Sequence, residues 1–387
     1  MNYDNFIRLY FELGLSQSEI LSCLAFLDGV VISKSTLKRT LKRLRLARRK
    51  NYSEISDVAV FLLRELQNSG QCHGYRWMHM KCLQNGFNIP RDTVYHLLSI
   101  LDPEGIVKRK RKRLHRRQYF SRGPDYVWHV DSYDKLKPYG IAINGCIDGY
   151  SRNIIWLEAN ITNSDPSVIA DYYIQAVKQR KGCPQRIRAD MGTENVHMEQ
   201  MQKFLRRNHN DPYAKEKSFL YGKSTHNQRI EWFWGILRKE MGQFWMDLFT
   251  EMANNAGERT FSGDFLDTNL VQFCFMGIIQ KDLDRLVEVW NTHSISGGSH
   301  IRGGNRPIML YTVPELFDKH HCMCDADEVE INVCAEETRP KTDFPCDETV
   351  RDLCFLVMEE NGYNYPDDAE EAERLYNSLR ELILSEI

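Results

Sequence analysis

No stretch of this 387-residue chain is apolar for long enough to cross a bilayer. The most apolar late stretch, Val271 to Ile279, is broken by Gln272 and Gly277 and falls far short of the roughly 20 residues a spanning helix needs. The opening MNYDNFIRLYFELG carries early acids and lacks the basic-then-apolar layout of a secretory signal. Its eleven cysteines are odd in number, with no repeating spacing and no spaced CxxC pair. That fits a reducing compartment better than a disulfide framework or a tetrahedral zinc site. A Ser–His or Cys–His arrangement for covalent catalysis is also missing. What remains is an intracellular, non-membrane protein with 42% hydrophobic and 27% charged residues, ordinary for a globular fold and long enough for two or three domains.

The net charge of -2 conceals a polarity along the chain. Residues 1–120 hold 22 Lys and Arg against 10 Asp and Glu, whereas residues 311–387 hold 6 against 21. A basic front half suits nucleic acid, and an acidic end suits a solvated or protein-contacting region. Solvated surfaces alone would give the same counts, so the motifs must decide.

Residues 1–50 read as one helical unit. Phe6, Leu9, Tyr10 and Leu13 follow helical spacing up to Gly14, and Ser16 with Glu19 forms a capping box over Ile20, Leu21 and Leu24. A third helix opens at Ser33 or Ser35, with Leu37, Leu41 and Leu44 on one face and Lys34, Lys38, Arg39, Lys42, Arg43 and Arg45 on the other. A short helix, a turn and a basic helix is the layout of a helix-turn-helix, whose last helix enters the major groove; Lys38, Arg39, Lys42 and Arg43 are its candidate DNA contacts. Residues 51–105 repeat the theme. A helix from about Asp57 to Asn68 precedes Gly70, another runs to the Asn85-Gly86 stop, and a third starts after Pro90, with Arg76 and Arg91 as candidate DNA contacts. The run GYRWMHMKCLQNGFNIPRDTVYHLLSILDPEG resembles the second helix-turn-helix of bacterial insertion-sequence transposases. Residues 106–122 form a basic linker around Lys108–Arg113, whose six successive cations repel one another until a polyanion orders them. The same run reads equally as a nuclear import signal, which would make the protein nuclear if its source is eukaryotic.

From Tyr126 the composition turns to short β-prone runs. Tyr126 to Asp131, Gly140 to Ile147 and Asn153 to Ala159 read as strands, Pro166 to Arg180 as a helix, and Gln185 to Asp190 as a further strand ending in an acid. Asp148 shapes the turn DGYSR between the second and third strands. Strands preceding the first helical crossover define an α/β class.

WHVDSYDKLKPYGIAINGCIDGYSR resembles the first half of an integrase catalytic core, ADMGTEN its Asp-x-Gly-x-Glu segment, and THNQRIEWFWGILRKE the helix carrying its closing Glu. The likeness is greatest to integrase-core proteins encoded by transposon-derived animal genes, and it spans roughly residues 120–245, with a weaker echo to about 312. It implies a ribonuclease H-like mixed sheet flanked by helices, within a core over residues 123–312, preceded by the all-α helix-turn-helix units. It also implies a catalytic triad of Asp131, Asp190 and Glu231. Asp190 and Glu231 stand 41 positions apart, a little wider than in retroviral relatives, which points to a longer loop around Asn208 to Gly222. Asp134 sits where relatives more often have His, and Glu194 is expected to support the site.

The chemistry explains the acids. Phosphodiester transfer requires charge neutralisation on both attacking and leaving oxygens, and two Mg²⁺ or Mn²⁺ ions do this when bound by carboxylates. The resemblance makes Asp131 the bridge, with Asp190 on one ion and Glu231 on the other. Asn227, Gln228 and Arg229, one turn before Glu231, are candidate contacts to phosphate and base edges, and Lys239 extends the positive face. Trp232, Phe233 and Trp234 suit the core better than a base-stacking role. Each acid alone has a plain reading as a turn or surface residue. The expected partner is DNA, bound as a homo-oligomer that holds two ends. Rival readings are a domesticated DNA-binding protein without catalysis and a nuclease of the same fold.

Behind the core, Trp290-Asn291-Thr292-His293 and Gly303-Gly304-Asn305-Arg306-Pro307 resemble a diverged integrase-core ending. Residues 313–387 form an acidic region, with a helix expected from Asp367 to Glu386. It is expected to be partly unstructured, to contact a protein, or to mask the basic front half.

Overall fold

The computed structural model describes residues 3–109, 121–222, 227–254, 261–295 and 305–385. Most of the basic linker and Gly303-Gly304 therefore lie outside the described residues. The chain divides into two compact units, one of Met1–Pro124, Tyr150–Asn153 and Glu288–His321, the other of Asp125–Gly149, Ile154–Val287 and Cys322–Ile387.

In the first unit, α1 (Asp4–Glu12), α2 (Gln17–Phe26) and α3 (Lys34–Arg43) close on Ile7, Tyr10, Ile20, Leu24, Leu37 and Leu41. The expected capping box at Ser16 and Glu19 is present, and Ser33 caps α3 by accepting from the Thr36 N–H. The buried face of α1 differs from the expected one. Ile7 and Tyr10 point inward, while Phe6 and Leu9 are exposed, because two apolar stripes overlap on that helix and only packing chooses between them. Helices α4 (Ile55–Leu66), α5 (Tyr75–Gln84), α6 (Arg91–Leu101) and α7 (Pro103–Arg109) follow, with a separate core of Val58, Leu62, Met78, Cys82, Ile89, Val94 and Leu98.

The second unit is built on a five-stranded sheet of order β3-β2-β1-β5-β6. Strands β1 (Trp128–Tyr133), β2 (Ala142–Asp148) and β3 (Ile154–Asn160) pair antiparallel. After α8 (Pro166–Arg180) and the short β4 (Gly182–Cys183), β5 (Ile187–Ala189) joins β1 in parallel. Helix α9 (Val196–Leu205) leads to β6 (Phe219–Tyr221), which extends the parallel half. All seven β2 residues are buried, as expected of a strand covered on both faces. The sequence predicted α8 at its observed ends, but β6 falls inside the stretch expected as a loop; three residues are too few to show a strand period before a neighbour pairs with them.

Helix α10 (Gln228–Leu237) packs on β1 and β2 and runs through a π-helical turn, Arg238–Gly242, into α11 (Gln243–Asn254). Helix α12 (Phe265–Thr292) begins in the second unit and ends in the first. After it, α13 (Pro307–Thr312) places Met309, with the following Val313, in the core of α1–α3. The segment around residue 312, expected to end the integrase-like core, packs with α1–α3.

The acidic end is folded where it is described. Strand β7 (Cys324–Asp325) pairs with β4, and α14 (Glu328–Glu336), α15 (Glu348–Asn361) and α16 (Ala369–Ser385) pack on the second unit. Phe344, Phe355 and Tyr365 ring Phe273 of α12, the Tyr365 hydroxyl donates to the Phe273 carbonyl at 2.8 Å, and Arg380 pairs with buried Asp267 at 2.6 Å. This corrects the expectation of a partly unstructured tail. The acids face solvent while Cys354, Met358, Ala372, Tyr376 and Leu379 form a buried stripe, and composition averages the two faces together.

Candidate active site

The three expected acids come from three elements. Asp131 lies in the middle of β1 and is half-buried. The β1–β5 register pairs Trp128 with Ile187 and His129 with Arg188; carried on past the strand end, it brings Asp190 level with Asp131. Glu231 stands in the first turn of α10, the helix packed across β1 and β2.

Asp131 and Asp190 are each held by hydrogen bonds, while Glu231 is exposed. Trp234 Nε1, one turn after Glu231, donates to Asp131 Oδ2 at 2.9 Å. Its ring crosses Gly145, the register partner of Asp131, where an added Cβ would meet Trp234 at 2.8 Å. The aromatic run is therefore core, as expected for Phe233 and Trp234, with the added role of fixing an acid. Asp190 Oδ1 accepts from the Gly192 N–H at 3.3 Å and from Asn195 Nδ2 at 3.2 Å. Asn195 also holds Glu194 at 3.1 Å, and a Cβ on Gly192 would collide with that carboxylate at 2.0 Å. Glu194 thus sits beside Asp190, while Asp134 is engaged by Asn163 and by Lys137. Asp148 is buried and accepts from the Asp125 N–H at 2.8 Å, tying the entry of β1 to the turn after β2.

The acids sense one another. Burial and the charges of Glu231 and Asp190 push Asp131 up to about 7, against the Trp234 hydrogen bond, which lowers it. Partial burial and Asp190 raise Glu231, and burial with Asp190 and Asp134 raises Glu194. None of the three triad acids has a Lys or Arg partner among the described residues. Mutually repelling carboxylates without a neutralising side chain suit a divalent cation, which favours carboxylate oxygen. Among the described residues no three His, Cys, Asp or Glu side chains group closely enough to hold one ion together. A site with two carboxylates per ion does not require such a group, because Mg²⁺ keeps several waters.

A model of the integrase core domain matches residues 119–317. The chain belongs to the integrase core domain family. Its mixed sheet with flanking helices is the ribonuclease H-like fold of that family, a polynucleotidyl transferase-type enzyme fold. No curated protein sequence matches the chain. Among the described residues no helix is long and apolar enough to cross a membrane.

The expected contact residues near the acids differ in exposure and in their partners. Gln228 is exposed beside the site, and Arg229 is half-buried with its Nε donating to the Gly149 carbonyl at 3.0 Å. Lys239 pairs with Glu240 at 2.8 Å. Asn227 is corrected outright. It is only 1% exposed, its Oδ1 lies 2.7 Å from His129 Nδ1, and its Nδ2 donates to the Val130 carbonyl at 2.7 Å. A side chain with both ends used inside the protein does not meet DNA. Burial pushes His129 down to about 3, so the ring is neutral at neutral pH. Residue-level reading missed His129 and Trp234 as site residues; the signal lay in the strand period, which puts His129 on the same side of β1 as Asp131.

In the front unit Lys38, Arg39, Lys42, Arg43, Arg76 and Arg91 are all exposed. Arg43 pairs with Asp4 at 2.6 Å, and Arg91 stands 3.8 Å from Asp92. The His320 to Cys324 run forms no metal cluster among the described residues.

Proposed function

We propose that this chain is a DDE-type DNA strand-transfer enzyme, a transposase or integrase, with Asp131, Asp190 and Glu231 as its acids. The observation that carries the reading is the convergence of three carboxylates from β1, the end of β5 and the first turn of α10, none of them with a Lys or Arg partner among the described residues. Asp131 and Asp190 would hold one Mg²⁺ or Mn²⁺ and Asp131 and Glu231 a second, supplying charge neutralisation at the attacking and leaving oxygens. Trp234 and Asn195 keep the carboxylates aimed before DNA arrives, which removes reorganisation from the reaction.

In end cleavage a water oxygen bonds to phosphorus as the P–O3′ bond breaks, and the departing oxygen ends as a 3′-hydroxyl. In transfer that hydroxyl attacks a target phosphate and a target P–O3′ bond breaks, so bond count is conserved. The two front helical groups act as helix-turn-helix units, with Lys38, Arg39, Lys42 and Arg43 on one and Arg76 and Arg91 on the other meeting DNA. Gln228, Arg229 and Lys239 line the DNA path near the acids. Two ends must be held together, so the working form is a homo-oligomer on DNA, acting in the nucleus if the source is eukaryotic.

The test is strand transfer of a labelled DNA end into plasmid with Mg²⁺ or Mn²⁺, comparing wild type with Asp131→Asn. Joined product that vanishes in the variant is expected. Cut but unjoined DNA would indicate a nuclease of the same fold. DNA binding by folded protein without any metal-dependent product would indicate a domesticated binding protein.

A further inference from the structure

Asparagine is among the favoured residues for capping a helix N-terminus, a contact worth about 1 kcal/mol. Asn227 occupies that position before α10 yet makes no side-chain cap hydrogen bond. Its amide is turned instead into β1, where Nδ2 donates to the Val130 carbonyl at 2.7 Å and Oδ1 faces His129 Nδ1 at 2.7 Å. Because the amide oxygen can only accept, the proton of this bond sits on His129 Nδ1. Both side chains are buried, His129 completely.

We propose that the buried His129–Asn227 pair is a positioning device that sets where Glu231 stands relative to Asp131. Val130 is the residue immediately before Asp131, and Asn227 lies one helical turn before Glu231, whose N–H bonds to the Asn227 carbonyl at 3.2 Å. Trp234 fastens the same helix to Asp131 itself, three residues beyond Glu231. Glu231 is thus bracketed, four residues before and three residues after, by hydrogen bonds from α10 to the strand that carries Asp131. An apolar pair would fill the same space without the desolvation cost of two polar side chains. It would also let the helix slide, whereas a shift of one residue, about 1.5 Å, breaks directional bonds at this site. His129 and Asn227 are positioning residues and touch neither DNA nor a metal.

The inference rests on the metal-dependent reading above, so its test measures Mn²⁺ binding directly, by electron paramagnetic resonance on the full chain, beside strand transfer and DNA-end affinity. Asn227→Ala and His129→Phe are expected to weaken Mn²⁺ binding by about 10- to 100-fold, the usual cost of losing a support behind a metal ligand. Product formation at saturating DNA falls with them, while DNA-end affinity stays within about twofold. His129→Asn, whose amide N–H stands in for Nδ1–H, is expected to stay within about threefold of wild type. Should Asn227→Ala fail to give a cooperative unfolding transition, the two His129 variants decide alone. Wild-type Mn²⁺ affinity in folded Asn227→Ala or His129→Phe overturns the proposal, and so does equal loss in His129→Asn and His129→Phe. If wild type binds no Mn²⁺ at all, the metal reading itself fails and the inference falls with it. If wild type binds, Asp131→Asn does not, and Asn227→Ala still does, the inference alone is overturned.

Discussion

Helices α3 and α10 are both ten residues long, and each carries candidate functional side chains, but they hold them in opposite ways. Helix α3 buries Leu37, Thr40 and Leu41 and leaves Lys38, Arg39, Lys42 and Arg43 in solvent on the far side. Helix α10 exposes Glu231, yet the residues one turn to either side of it, Asn227 and Trp234, are buried and bonded to the strand of Asp131. The difference follows from the chemistry each would perform. Neutralising phosphates tolerates long side chains that find their partners on arrival. Aligning a nucleophile with a phosphorus does not, since a displacement of about 1 Å costs on the order of a hundredfold in rate.

That contrast sets the order of expected effects. The largest comes from the acids: Asp131→Asn should lower strand transfer by at least about a hundredfold while the protein still binds DNA, measured as joined product per enzyme at saturating DNA. A smaller loss, about tenfold, is expected from Trp234→Phe, which keeps the ring in the core and deletes only the N–H to Asp131. Activity equal to wild type in that variant would break the claim that α10 works through its buried supports.

A third test separates the scaffold of the basic unit from its surface. Burial pushes His293 down to about 4, against its hydrogen bond to the Trp290 carbonyl at 2.6 Å. With a folded value below the unfolded one of about 6.5, the unfolded chain binds more protons between those limits. The stability His293 lends is therefore present above about pH 6.5 and is lost as pH falls toward 4, by about 2 kcal/mol between pH 7 and pH 5. Urea titrations at pH 7 and pH 5 check this; a His293→Gln variant should show a flatter profile. The smallest effect belongs to α3. Lys42→Ala should change stability by less than about 0.5 kcal/mol and lower the salt slope of DNA binding by about 1. A large stability loss there would end the distinction between surface-held and scaffold-held function.

Much of this was legible without coordinates because it rests on local pattern. The capping box at Ser16, the ends of α8 and the α3 cations opposite Leu37 and Leu41 follow from spacing along the chain, while Asp131, Asp190 and Glu231 were implied by the resemblance to integrase cores. Spacing also placed Asn227 one turn before Glu231, but it cannot tell an amide facing a groove from one turned into a strand. That choice was made when α10 docked on β1, since a pair of 2.7 Å bonds to His129 and Val130 exists only between elements about a hundred residues apart in sequence.

The same limit explains the other differences. The β6 strand is recognisable only by its parallel partner β5, and α13 only by the α1–α3 core that receives Met309 and Val313. The folded acidic end is recognisable by the aromatic cluster around Phe273. The sequence by itself determined which residue types were available and their periodicity, and hence most of the elements, while its resemblance to integrase cores singled out the candidate acids. The tertiary structure alone decided which polar groups would be buried against each other, because that depends on contacts between segments whose separation in the chain carries no local signal.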